Sequence, residues 1–553
     1  MMSDRQSHIQ RESAGGKPSN YRSGNPTFRS ISAKRPIQSM VLRGGTARAL
    51  SSGLLEQSGT FNALLAIPAS KPGEQPSLRI NPSVFNATPV MRTATATASA
   101  EHAEKQLILW SPPLAGSHYA INAKPAPGDE PEQQIGSEHY GMYLFPMARA
   151  TLTSHGLLCT NRRYLSQRLL HPCTIIGGKR PVDPISKKVA AYGVTIMEIK
   201  KDGAGEWSVI PGKYNRRITD STPVDIAGPA RGSGLLKTEY SPDGTKTRGV
   251  FVNCAYSFTP WRTYLVCERN WAIYFINRTG RPREHARYGI NTGGVRREWS
   301  EDDSGTGEHA RFDASARGAD ATEDYRNEPN CQGWILEIDP FDPESTPKKR
   351  TAMGRLAHTG AWLAPVKEGH PLVWYMSDDD PDEYIYKFVT KARFHRRTAN
   401  GDMLDEGTLY AARFNEDGTG DWLALDLGDS SFRTAAAARS AVFKNQADVL
   451  VNTRLAADVV GATAMDRPQW RSVHPLSCEV YLTMTDDPDR TAPGTPRAPN
   501  SCGHIVRWSE QDNRSFATKF KWDLFAIAPE SDAPAQSEAH GPERLPKRTA
   551  SPA

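Results

Sequence analysis

The sequence predicts an all-β protein, an irregular β-propeller in preference to a large sandwich. Three observations lead there. From about residue 105 the chain falls into short extended segments separated by turn residues. Glycine and proline are plentiful, at 44 and 41 of 553 residues, while hydrophobic residues reach only 38%. Helical periodicity is weak outside FRTAAAARSAVFKNQADVLVNTRLAADVV, residues 432–460, where alanine and leucine are dense. No strict period runs through the chain, so a regular WD-type repeat is not expected.

The strand candidates follow in order: LILW, GVTIMEIKKDGAGEWSVI, TYLVCERNWAIYFI, GWILEIDPFDP, PLVWYM, YIYKFVT and EVYLTMTDD. Two further stretches read as hairpins. In GTLYAARFNEDGTGDWLAL two alternating runs flank NEDGTG, whose Asp-Gly supplies the positive φ that a tight turn requires. GHIVRW and FATKFKW repeat the plan around a longer polar turn. Many strand pairs with few helices between them suit a propeller with long inter-blade loops.

The formal net charge of +6 is small for this length, and no basic stripe interleaved with aromatics is present. Anionic ligands are compatible with that balance; a nucleic-acid partner is not expected. Seven cysteines, at 159, 173, 254, 267, 331, 478 and 502, form no CxxC, and their odd number does not describe a fully paired disulfide framework. No apolar run is long enough for a membrane-spanning helix. Residues 1–70 read as a disordered leader and 529–553 as a low-complexity tail, leaving 71–528 for the propeller. Within the leader, Lys34-Arg35 precedes a weakly apolar stretch interrupted by Arg43 and Arg48. Two readings stand: a degenerate twin-arginine-like export signal, giving a periplasmic or secreted protein, or a polar tail on a cytoplasmic one.

No P-loop, dinucleotide fingerprint, HExxH or GxSxG is present. Polar loops at strand ends stand out instead: NCAYSFTPW, VCERNW, RNEPNCQGW, GRLAHTGAW, MSDDDPDEY and MDRPQW. With YNRRITDSTPVDIAGPA before them and GHIVRWSEQDN after, these words resemble, in order and wording, the PhoX family of bacterial alkaline phosphatases. The resemblance runs over most of residues 130–525. It implies a six-bladed propeller, here with an incomplete last blade because the family continues beyond the FKWDLF strand. It also implies a monomer that hydrolyses phosphate monoesters on an axial cluster of iron and calcium ions. Hard cations of that kind need anionic oxygen ligands, and they activate the nucleophile while neutralising the phosphoryl oxygens. By the same resemblance Cys254 and Glu268 are metal ligands, Arg467 faces the phosphate, and Asp378 and Asp379 belong to a calcium site.

Five positions depart from the family words. CEEN has become CERN, with Arg269; HEGA has become HTGA, with Thr359; DRPEW has become DRPQW, with Gln469. NHEY reads Asn161-Arg162-Arg163-Tyr164, and HDGM reads His139-Tyr140-Gly141-Met142. Arg269, Thr359, Gln469, Arg163 and Tyr140 thus stand where the resemblance implies acids. A cluster of cations in a low-dielectric site must be offset by carboxylates, so an impaired or lost metal site is expected.

Each candidate also has a plainer reading. Cys254 alone is an ordinary buried thiol. Arg467 either binds phosphate or pairs with Asp466 or Glu268. Asp378-Asp379-Asp380 before Pro381 either serves calcium or forms a solvated turn. His358 reads as a hydrogen-bonded structural group. Arg163 and Arg269 lie either on the surface or on the axis; on the axis, with Arg467, they offer a non-catalytic site for phosphate or an anionic partner.

Overall fold

A computed structural model of the chain describes residues 139–148, 154–162, 189, 192–210, 212–250, 252–293, 299, 309–485 and 503–527. The expected leader, the expected tail and Arg163 lie outside the described residues. The fold is all-β, a propeller whose blades are antiparallel meanders.

The first blade carries β1 (His139–Pro146), β2 (His155–Arg162) and β3 (Gly193–Lys201), with β4 (Trp207–Val209) and β5 (Arg216–Ile218) both on β3. In the second, β8 (Asn253–Phe258), β9 (Tyr264–Glu268), β10 (Ile335–Ile338) and β11 (Lys348–Arg350) run outward. They are extended by β6 (Pro223–Ala227) and β7 (Lys246–Arg248), and β6 lies parallel to β11. The third blade is β12 (His358–Leu363), β13 (Pro371–Asp378), β14 (Ile385–Arg393) and β15 (Gly407–Phe414). The fourth is β17 (Pro468–Val473), β18 (Val480–Met484), β19 (His504–Glu510) and β20 (Lys519–Ile527), a complete four-stranded meander. Strand β16 (Thr419–Ala424) pairs with both β15 and β20, joining the last two blades into one sheet.

Strand composition explains this stacking. Central strands such as β13, PLVWYMSD, are buried on both faces and read as continuous apolar runs. The outer β19, HIVRWSE, alternates buried and half-buried positions with period two. Neighbouring blades share apolar layers: Leu157, Ile196, Tyr264 and Leu336 between the first and second, and Leu265, Ile335, Trp374 and Phe388 between the second and third. Trp362, Tyr375, Val480 and Trp508 fill the third gap. Each such side chain, withdrawn from water, contributes about 2–3 kcal/mol, so the gaps between blades carry much of the stability.

The predicted hairpins form as β15–β16 and β19–β20; in the first, Gly418 takes a φ of +78°. The alanine-rich stretch is helical in three pieces, α1 (Ser430–Ala438), α2 (Gln446–Val451) and α3 (Thr453–Val460). No helix among the described residues is long and apolar enough to cross a membrane.

Candidate active site

Among the described residues, the innermost strands of four blades are β1, β8, β12 and β17, and they lie side by side in that order. All four begin with the same irregularity. His139 opposes Arg162 and Met142 opposes Thr160; Asn253 opposes Glu268 and Tyr256 opposes Val266. His358 and Ala361 oppose Asp378 and Met376, and Pro468 and Arg471 oppose Met484 and Leu482. In each case three steps on the inner strand face two on its partner, which is a β-bulge. The first bulged residue in each strand is Tyr140, Cys254, Thr359 or Gln469. Four candidates drawn from unrelated sequence words are therefore equivalent positions of one repeated device. Bulges re-aim side chains and interrupt pairing, which suits the rim of a site.

The second strands contribute a matching set where they end. Arg162, Glu268 and Asp378 close β2, β9 and β13, and Arg269 and Asp379 follow the last two. Asp379 is the meeting point. Its carboxylate is buried and pairs with the guanidinium of Arg269, itself only 3% exposed. Nε of Arg467 donates to it at 3.0 Å, and the amide of Gln469 donates as well. Arg269, Arg467 and Gln469 thus converge on one retained carboxylate. Arg467 pairs neither with Asp466 nor with Glu268. Its backbone has φ of +46°, a left-handed conformation costly for a residue with a Cβ. The side chain is 42% exposed, and Nε is its only hydrogen-bonded atom among the described residues.

Thr359 is buried. Its Oγ1 lies 2.9 Å from Ser377 Oγ and donates to the Gln469 carbonyl at 3.0 Å. Cys254 is buried on β8, as are Cys159, Cys267 and Cys331 on other elements, and burial pushes the Cys267 thiol well up. Tyr140 is 45% exposed. His358 is buried, with Nε2 3.0 Å from the Gly354 carbonyl, so it takes the structural part.

The remaining acids are committed elsewhere. Glu268 receives Lys349 Nζ at 3.0 and 3.2 Å and the backbone N–H groups of Gly333 and Trp334 at 2.9 and 3.0 Å. Burial pushes its carboxyl upward and Lys349 pulls it back. Asp378 accepts a two-pronged pair from Arg454, at 2.7 and 2.5 Å, and the Ala357 N–H at 3.2 Å. The solvated-turn reading of Asp378 and Asp379 is corrected by this burial. Their assignment to metals, like that of Glu268, meets carboxylates already saturated by cations of the chain itself.

The iron and calcium that the resemblance implies therefore do not fit the donor set of the described residues. Among the described residues no three His, Cys, Asp or Glu side chains converge as a metal would require. Sequence inspection found Arg269, Arg467, Gln469 and Asp379. It missed Lys349, Arg454 and Arg471, whose partners lie far away in the chain and carry no local signal.

No curated protein matches the chain. The family model described as alkaline phosphatase PhoX matches residues 85–547. Among solved structures, Pseudomonas fluorescens PhoX in complex with vanadate, a transition state analogue, is similar at 35% identity with a TM-score of 0.66. That match covers 78% of this chain and 73% of that one. On the extent of both matches, and on a propeller whose bulged inner strands carry the family's words, the chain belongs to the PhoX family of alkaline phosphatases.

Proposed function

We propose that this chain is a PhoX-type phosphatase scaffold in which hydrolysis of phosphate monoesters is lost or severely impaired. The observation that carries the reading is the set of donors on Asp379: two guanidinium groups and an amide surround the carboxylate that a metal would need. Metal loading would have to displace an ion pair buried on both sides and leave Arg269 without its counter-charge, and each of these is costly. When bound, the family's metals supply nucleophile activation and charge neutralisation; none of Arg269, Thr359 or Gln469 offers an anionic oxygen in their place. The test is elemental analysis for iron and calcium on the purified chain. It is paired with turnover of a chromogenic phosphate ester before chelation, after chelation and after reloading. Substoichiometric metal and no metal-dependent turnover are expected. Metal-dependent turnover comparable to an intact relative would overturn the proposal.

A second reading is favoured by Arg467. With Nε fixed on buried Asp379 and its outer nitrogens uncommitted among the described residues, it is a pre-oriented fork for a phosphate-like anion. On this reading the scaffold is non-catalytic and binds phosphate or an anionic partner through Arg467, Arg269 and Arg163. A partner needing periplasmic or extracellular location would require the leader to direct export.

A further inference from the structure

Arg471 is the third residue after the start of β17, immediately past the bulge at Gln469 and Trp470. Its side chain is buried, yet none of its hydrogen bonds goes to a carboxylate. Nη1 donates to Ser377 Oγ and, at 3.4 Å, to the Gln469 carbonyl, while Nε has no partner among the described residues. Ser377 Oγ also lies 2.9 Å from Thr359 Oγ1 and donates to the Gln469 carbonyl at 3.0 Å. The guanidinium is thereby wired to two of the four bulged positions. It also runs directly against the β12 bulge: a Cβ on Gly360 would come within 2.6 Å of Nη2.

Formal charge around the bulges is unbalanced. Glu268 is matched by Lys349, and Asp378 shares Arg454 with Asp380 and with Glu383, the last also held by Arg287. At the bulges themselves, Arg162, Arg269, Arg467 and Arg471 stand against Asp379 and Asp466 among the described residues. A buried cation without a counter-ion is destabilising unless an anion can approach it, and its field repels metal ions from the same place.

We infer that Arg471 sets the charge selectivity of the axial site, making it a metal-free site for a small tetrahedral oxyanion such as inorganic phosphate. The anion is gripped by the open fork of Arg467 and held by the uncompensated charge beneath. This inference rests on the second reading above and assigns its decisive residue. Arg471 acts here as a positioning charge.

The test is calorimetric titration of the full-length chain with inorganic phosphate in the presence of a chelator, for wild type and two variants. Arg471→Lys keeps the charge. Arg471→Gln keeps an N–H donor for Ser377 but removes the charge. Wild type should bind without metal, Arg471→Lys should stay within about threefold, and Arg471→Gln should weaken about tenfold or more, as expected for one charge at short range in a partly screened site. Equal losses in the two variants would mark Arg471 as packing only and overturn the inference. Should either variant not fold, wild type decides: phosphate binding that appears only after calcium is added refutes it. If Arg467→Ala abolishes binding while Arg471→Gln binds like wild type, anion recognition stands and the role given to Arg471 fails.

Discussion

Asp379→Asn gives opposite signs for two pictures of this site. If Asp379 were one of several carboxylates arranged for metals, amidation would remove like-charge repulsion in the metal-free protein and stabilise it. The structure instead places it as the only counter-charge of Arg269 among the described residues, with side chains 0% and 3% exposed. Removing one partner of such a pair strands the other and costs about 3–5 kcal/mol. Arg467, at 42% exposed, adds at most about 1 kcal/mol because water screens its share. The expected loss is therefore about 3–5 kcal/mol, read as a lower urea midpoint at unchanged slope. Adding Arg269→Met to Asp379→Asn should recover at least about 1 kcal/mol, since the stranded charge is then gone. A variant as stable as wild type, or more stable, would refute the claim that the chain's own guanidinium groups occupy the cationic positions of this site.

Further outcomes follow from other buried groups. Lys349→Met leaves Glu268 buried with only backbone donors, so unfolding free energy should fall by about 3–5 kcal/mol. Glu268→Gln, which keeps an acceptor for those N–H groups, should cost less in the same denaturation assay. Gly360→Ala must place a Cβ against Arg471 at a φ of +149°, and a loss of about 1–3 kcal/mol is expected in thermal melts. His285 and His358 are held down to about 3 from 6.5, chiefly by burial, with Arg355 and Arg471 respectively adding repulsion. The unfolded chain therefore takes up protons that the folded one refuses. Stability from these groups is full above about pH 6.5 and is lost as pH falls toward 3, by about 2 kcal/mol for each histidine between 6.5 and 5. Urea midpoints at pH 7 and 5 should show this, and His285→Gln with His358→Gln should flatten the slope.

By itself the sequence determined the all-β class, the two hairpins, the helical stretch at 432–460 and the family, because each depends on local pattern or on words a few residues long. It also marked positions 269, 359 and 469 as lacking the expected acids. Only tertiary structure made Tyr140, Cys254, Thr359 and Gln469 equivalent, since a bulge exists only once a partner strand fixes the register. The assignments of Glu268, Asp378 and Asp379 turned on partners 81, 76 and 90 residues distant: Lys349, Arg454 and Gln469. A carboxylate looks the same in a sequence whether it awaits a metal or already grips an arginine. Its role is set by which charges the packed blades bring to it and by how little water is left to screen them.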